Sequence, residues 1–330
     1  MNKFILIFSV IALIACLDAE KEEYFFRKFQ KFITKYNKRY SSIDEFLGRY
    51  NVYKFNLMNA YESNEKLSYQ TGITKFSDMT PQEFAKTYLN LNFNALATIN
   101  RHPVSPSNVK AAPDSFDWRD TIRVGAVKDQ GSCGSCWAFS AVGNLEGLYA
   151  EGKGEYLALS EQLLVDCDTL DSACNGGLMD YAFEWLESNG IEKQADYPYT
   201  GKKGTCKKDT SKYVGMTVTG YNLLCDWEAC DEDEMKEFLY ETGPLSVALN
   251  ANPLQTYVSG ILDLTASQCN PSGLNHGVTL VGYGNADGKD YWIVKNSWGA
   301  SWGESGYFRI ARGKSTCGIN YYVVSAIVKF

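Results

Sequence analysis

Apolar positions divide this chain into stretches of different kinds. From Phe4 to Leu17 they form a nearly unbroken run behind a single lysine at position 3. That run is shorter than the roughly 20 residues a membrane-spanning helix needs. At an N-terminus it predicts a secretory signal over residues 1–19, cleaved between Ala15 and Ala19. Phe25, Phe29, Phe32 and Tyr36 recur at helical spacing, which predicts an amphipathic helix over residues 24–38. A second helix begins at Ser42, where Ser42-Ile43-Asp44-Glu45 has the form of a capping box; its apolar stripe is Phe46, Tyr50, Tyr53, Leu57 and Ala60. Residues 93–113 carry Asn, Ser, Ala and three prolines with little periodicity, the pattern of an exposed linker open to proteolysis. Cys136 opens a further helical stretch with Phe139, Val142, Leu145 and Tyr149 on adjoining faces. Leu280–Gly284 and Tyr291–Lys295 read as strands joined through Asp287-Gly288, followed by Tyr307–Ile310.

With 330 residues, 45% hydrophobic and 14% aromatic, the chain has ample apolar mass for a sizeable core. A net charge of −7 with no clustered basic face excludes a nucleic-acid binder. The charge is uneven. Residues 1–111 hold 15 Lys/Arg against 10 Asp/Glu, and residues 112–330 hold 17 against 29, so a +5 segment precedes a −12 body. Ten cysteines accompany only two histidines, His102 and His276, so a multi-histidine metal site is excluded and no cofactor is expected. Cys16 lies in the signal, where Leu13-Ile14-Ala15-Cys16 also fits a bacterial lipoprotein signal. The other nine cysteines all follow residue 130. Export favours disulfides, and nine is odd, so at least one thiol stays free. A basic, cysteine-free segment ahead of an acidic, cysteine-rich body reads as a pro-segment (20–111) on a mature domain (112–330). His102 lies in the linker and leaves on processing.

Chemistry concentrates in Gln130-Gly131-Ser132-Cys133-Gly134-Ser135-Cys136-Trp137. A thiol at a helix N-terminus gains thiolate character from the positive dipole end. The C-x-x-C also admits a redox pair or half a zinc site, but it lacks a short βαβ context and a second C-x-x-C. His276 follows Cys136 by 140 residues, and Asn296 follows His276 by 20.

Two groups of motifs carry a family resemblance. Glu45, Arg49, Tyr53, Asn56, Ala60 and Asn64 resemble the interspersed E-R-F-N-I-N signature of papain-like propeptides, with Tyr for Phe and Ala for Ile. The alanine variant, with Gly72-Ile73-Thr74-Lys75-Phe76-Ser77-Asp78, is similar to the cathepsin F/L-like branch. The segment around Cys136, with its His and Asn spacing, matches the signature of the same enzymes. The chain resembles a papain-like (cathepsin-type) cysteine peptidase precursor over residues 20–330. The resemblance implies an α+β fold of two lobes, a helical one to about residue 221 and a β-barrel-like one over 222–330. The cleft lies between them, and a helical inhibitory propeptide precedes both.

It further implies Cys136 as nucleophile, His276 as its imidazolium partner, Asn296 as orienter of the ring and Gln130 as an oxyanion donor, with Trp298 covering the Asn–His contact. Implied disulfides are Cys133–Cys174, Cys167–Cys206 and Cys269–Cys317. Cys225 and Cys230, left over in a short insertion beside an acidic run, are expected to bridge each other, with two free thiols as the alternative. Gly176 and Gly177 match the strip that holds an extended peptide. Leu178, Met179, Ala248, Leu274 and Tyr322 match the pocket for the substrate's second residue from the cut (P2), and Trp302 joins the substrate site. Tyr322 is larger than the family's usual floor residue and should favour Leu or Val over Phe. With no second histidine in the body and no long insertion after Cys174, an endopeptidase is expected. Expected partners are polypeptide substrates, the chain's own propeptide and cystatin-type inhibitors. A monomer in the lysosome, an acidic vacuole or the extracellular space is expected, free of membrane after signal removal. The charge split suggests activation on acidification, with cleavage near residues 105–113.

Overall fold

The computed structural model describes the backbone of residues 2–91 and 111–330, with side chains from residue 19 onward. The linker, His102 and most of the expected activation region lie outside the described residues. Helix α1 (Asn2–Lys35) runs unbroken from the signal segment into the first propeptide helix and stops before Tyr36. Ser42 caps α2 (Ile43–Asn64), its hydroxyl accepting from Glu45 N. Glu45 reaches back one residue further than a capping box requires, to the N–H and hydroxyl of Ser41. Phe25, Phe29, Phe32, Tyr53 and Leu57 bury together where α1 and α2 cross, the seam their spacing predicted.

The signature residues on α2 grip the segment that follows. Asn56 donates to the carbonyls of Ser77 and Met79, and Asn64 exchanges hydrogen bonds with the Thr71 backbone. Arg49 pairs with Glu83 at 2.8 Å and donates to the Asp78 carbonyl, so it faces away from a surface pairing with Glu45. The strap so fixed carries β1 (Tyr69–Thr71) and α3 (Pro81–Tyr88), whose capping box joins Thr80 and Glu83.

The body is built on one open sheet in the order β1-β5-β8-β7-β6-β4-β9-β3. Its strands are β3 (Thr217–Asp226), β4 (Leu245–Leu249), β5 (Tyr257–Leu262), β6 (His276–Ala286), β7 (Lys289–Lys295), β8 (Tyr307–Ala311) and β9 (Tyr322–Lys329), with β2 (Phe116–Asp117) against β6. The β-barrel-like lobe is therefore a linear sheet with edges, and the propeptide's β1 covers one of them by pairing with β5. Asp287 and Gly288, both at positive φ, turn β6 into β7. Strand β3 runs straight through residue 221, so the lobe division expected there falls inside a strand.

Helices α4 (Cys136–Lys153), α5 (Glu161–Cys167) and α6 (Met179–Glu187) make the other lobe; α7 (Glu232–Thr242) returns to the sheet side. α4 is buried on almost every face because it lies between the lobes. Gly143 lets it approach β6 closely, since a Cβ there would stand 2.4 Å from Thr279 Oγ1. Ser140 Oγ donates to Val278 O at 2.7 Å, and Ser246 Oγ donates to Ser140 O at 2.9 Å. These bonds fix the helix that begins with the thiol to the strand that begins with the imidazole.

Candidate active site

The turn before α4 is held from outside. Cys133 bonds to Cys174, and Gly134 N donates to Cys174 O at 3.0 Å. Ser135, the N-cap, makes no capping bond; its hydroxyl pairs with Tyr199 instead. The first amides of α4 have no intrahelical acceptor, and the N–H groups of Cys136 and Trp137 turn toward the Cys136 sulfur together with that of Gly277.

His276 opens β6, and Asn296 follows the last residue of β7, so one hairpin sets their relation. His276 Nε2 lies 2.8 Å from Asn296 Oδ1. Ser297 N donates to the same oxygen at 2.8 Å, which settles the orientation of the carboxamide and puts the ring proton on Nε2. Nδ1 makes no hydrogen bond and is the nitrogen left to take a proton. The Trp298 indole stacks on the imidazole at 4.7 Å, as its expected cover. Trp302 meets Trp298 edge-on at 4.9 Å and lies in the sheet-side core with Tyr257 and Phe308.

Gln130 is fully buried. Its Nε2 donates to Cys133 O at 3.1 Å, leaving its other N–H beside the thiol turn, while its Oε1 accepts from Ser297 Oγ at 2.7 Å. Ser297 thus orients both amides, one from each lobe. Sequence reasoning missed it because a single hydroxyl leaves no periodic signal.

The propeptide closes this site. Leu91 bridges Gly177 in parallel and its N–H donates to Asn275 O at 3.2 Å. The Asn90 N–H turns toward the Cys136 sulfur, and the Asn90 side chain lies against Gly134. Phe76, Phe84 and Tyr88 converge edge-on upon Trp298. The consequence is electrostatic. Burial pushes the Cys136 thiol up, against the amides that favour thiolate. Burial pulls His276 down to about 4, against Asn296 and the nearby Tyr88 carbonyl, which favour the protonated ring. Covering in this way favours the thiol and the neutral imidazole.

The sequence-matched pocket residues come together. Leu178, Met179, Ala248, Leu274 and Tyr322 are all buried, and the last four share one apolar cluster with the propeptide's Leu91 packed on it. Gly176 and Gly177 lie alongside; a Cβ on Gly177 would stand 2.4 Å from Asp171 Oδ1, a carboxyl the sequence did not single out. Disulfides join Cys133–Cys174, Cys167–Cys206, Cys269–Cys317 and Cys225–Cys230, and Cys136 is free. Among the described residues no group of three or more His, Cys, Asp or Glu is placed to hold a metal, and no helix is long and apolar enough to cross a membrane.

Comparison with known proteins agrees with this geometry. Residues 112–327 match the family described as papain family cysteine protease, and residues 29–84 match the cathepsin propeptide inhibitor domain. Cysteine proteinase 15A of Pisum sativum is 43% identical over 315 residues, covering 89% of this chain and 84% of that protein. Cathepsin F of Drosophila melanogaster is 43% identical over 94% of this chain and 51% of its own length. Among solved structures, digestive procathepsin L2 of Tenebrio molitor superposes with a TM-score of 0.84 at 36% identity, covering 92% of this chain and 99% of that one. The chain belongs to the papain family of cysteine proteases and is the zymogen of a papain-like cysteine peptidase, carrying its own inhibitory propeptide.

Proposed function

We propose that the mature body, from about residue 112, is a cysteine endopeptidase with an apolar P2 preference, released by propeptide removal at acidic pH. The observation that carries this reading is the position of Leu91, an apolar residue on extended backbone seated between Gly177 and Asn275 beside Cys136. It occupies a peptide-binding strip with a leucine at the pocket.

The chemistry follows from the residues. Once uncovered, Cys136 passes its proton to His276 Nδ1, and the thiolate attacks the scissile carbonyl carbon. The oxyanion meets the Cys136 N–H and the free N–H of Gln130; such donors are worth about 2.7–4 kcal/mol each to the barrier. The imidazolium, held by Asn296, gives its proton to the departing amine and leaves a thioester. Water, deprotonated by His276, then attacks the acyl carbon and expels the thiolate. Endopeptidase action is supported by a body with no second histidine and no long insertion after Cys174.

Acid activation is supported less by the charge split than by local contacts. Among the described residues the one ion pair joining propeptide to body is Lys75–Asp129, at 2.7 Å. The propeptide's own folding leans on Arg49–Glu83 and Lys38–Asp78; the Arg49 guanidinium holds the Glu83 carboxyl below its ordinary value, so protonating Glu83 weakens that fold. An acidic vacuole or lysosome, or an extracellular space, is the setting proposed for the monomeric enzyme, with cystatin-type proteins as inhibitors. The test is to acidify the purified proform and follow three things: loss of the propeptide, epoxide labelling of Cys136, and cleavage of peptides varied at P2. Labelling without cleavage, or processing indifferent to pH, overturns the reading.

A further inference from the structure

The insertion between Cys225 and Cys230 has a place in the fold that its sequence does not reveal. Strand β3 ends at Asp226, directly opposite Tyr322 on β9. The next residue, Trp227, has φ 65, a left-handed conformation that a bulky residue adopts only when its surroundings hold it there. Its surroundings do so. Trp227 N donates to Tyr321 O at 2.7 Å and Cys230 N to Asn320 O at 3.1 Å, while Asn320 Nδ2 returns a bond to Cys230 O at 2.8 Å. The Cys225–Cys230 disulfide closes the step. The whole device holds one indole against one phenol ring: Trp227 packs on Tyr322 at 5.4 Å, tilted by 43°.

Tyr322 is the residue matched to the pocket floor and is completely buried. Its hydroxyl donates to Asp180 Oδ1 at 2.5 Å, and the Asp180 N–H donates to the Tyr322 hydroxyl oxygen at 3.3 Å. The ring is therefore held at its tip by α6 and on its face by Trp227. We infer that Trp227 is a specificity-determining residue: as the backstop of Tyr322 it sets the depth of the P2 pocket, and the disulfide-closed insertion exists to present it. The inference rests on the reading of Tyr322 as the pocket floor. With the indole absent, the phenol has room to swing back about its Asp180 anchor, and the pocket deepens enough for a larger side chain.

The test uses the activated mature enzyme and peptides carrying Val, Leu or Phe at P2. Wild-type enzyme should prefer Leu and Val. Trp227→Ala should raise the Phe-to-Leu ratio of kcat/KM by about tenfold, the low end of what one methylene of pocket space commands. Opening the loop with Cys225→Ala and Cys230→Ala together should move the ratio the same way. A wild-type enzyme that prefers Leu, with a Trp227→Ala ratio unchanged within about twofold, overturns this inference alone. A wild-type enzyme indifferent to P2 removes the pocket reading and this inference with it. If Trp227→Ala does not mature, Trp227→Leu carries the same test: a raised ratio supports the backstop and an unchanged one overturns it.

Discussion

Leu91 of the propeptide pairs in parallel with Gly177 of the mature body, and this one bridge puts an apolar side chain over the pocket cluster. The bridge needs only backbone from both partners, so specificity in the contact comes from the leucine. Replacing it tests latency directly. Leu91→Asp loses the transfer energy of a half-buried leucine and sets a carboxylate against apolar side chains, together about 2 kcal/mol. The proform should then leak activity at neutral pH, on the order of 30-fold above wild type, with thermal stability of the activated enzyme unchanged. A fluorogenic peptide assay of the unprocessed protein reads this, and equal latency refutes it.

Trp298 serves two masters. One face stacks on His276, while Phe76, Phe84 and Tyr88 meet the ring edge-on. Phe84 is 1% exposed, so its truncation leaves a cavity under the strap. Phe84→Ala should cost about 3–5 kcal/mol of propeptide docking. Digestion of the strap by an added protease at neutral pH, in a Cys136→Ala background that cannot cut itself, should become fast. Slow digestion like that of the parent excludes the aromatic cluster as the main clasp.

Docking and protonation of His276 oppose each other. Burial pulls the covered ring down to about 4, below the unperturbed imidazole value of about 6.5. A depressed pKa means the covered state is favoured above the ordinary value, and this contribution is lost as pH falls from about 6.5 toward 4. Acidification therefore favours undocking, by up to about 3 kcal/mol at full protonation. In the Cys136→Ala proform, strap digestion should accelerate through this window, and adding His276→Gln should move the midpoint to lower pH. In active proform, alkylation of Cys136 at neutral pH should be at least about 100-fold slower than after activation, since the reactive species is the thiolate. Comparable rates would show that the propeptide leaves the pair charged.

The helices and hairpins that carry the catalytic groups were legible because each has a local cause. Aromatic spacing made α1, Ser42 capped α2, Asp287-Gly288 turned the hairpin, and the run before Cys136 announced a helix N-terminus. What escaped depends on residues far apart in sequence. Arg49 lies four residues from Glu45 on the same helix, yet it pairs with Glu83 across a strap. Ser297 is one hydroxyl whose importance lies in reaching Gln130 in the other lobe. Trp227 reads as part of an acidic insertion until β3 and β9 bring it beside Tyr322. Asp168 and Asp171 look like ordinary loop acids of a disulfide-tied turn, and only burial reveals them as a pair.

That pair yields the last prediction. Asp168 Oδ1 accepts from Leu170 N and Asp171 N, and Asp171 Oδ1 accepts from Leu178 N at 2.8 Å, directly under the substrate strip. Their two Oδ2 atoms are buried without donors, and the carboxyls lie within hydrogen-bond reach of each other. Two buried acceptors are satisfied by one shared proton. Burial raises Asp168 to about 6, and burial together with the Asp168 charge raises Asp171 well above the carboxylate range. The charged groups facing them from α6, Asp180 and Glu184, are acids and push the same way. Because Asp168 is raised in the fold, the stability its protonation confers is fully present below the ordinary carboxylate value of about 4 and is lost as pH rises through about 6, while Asp171 is shifted in the same direction. The activated enzyme should therefore melt at lower temperature at pH 7 than at pH 5, by at least about 2 °C for each kcal/mol involved. Asp171→Asn keeps an acceptor for Leu178 and donates permanently to Asp168, so it should flatten that dependence. Asp171→Ala keeps neither, and should lower Tm and raise KM as the Gly176–Leu178 strip loosens. A melting profile of Asp171→Asn that tracks wild type from pH 5 to 7 rules out the shared proton.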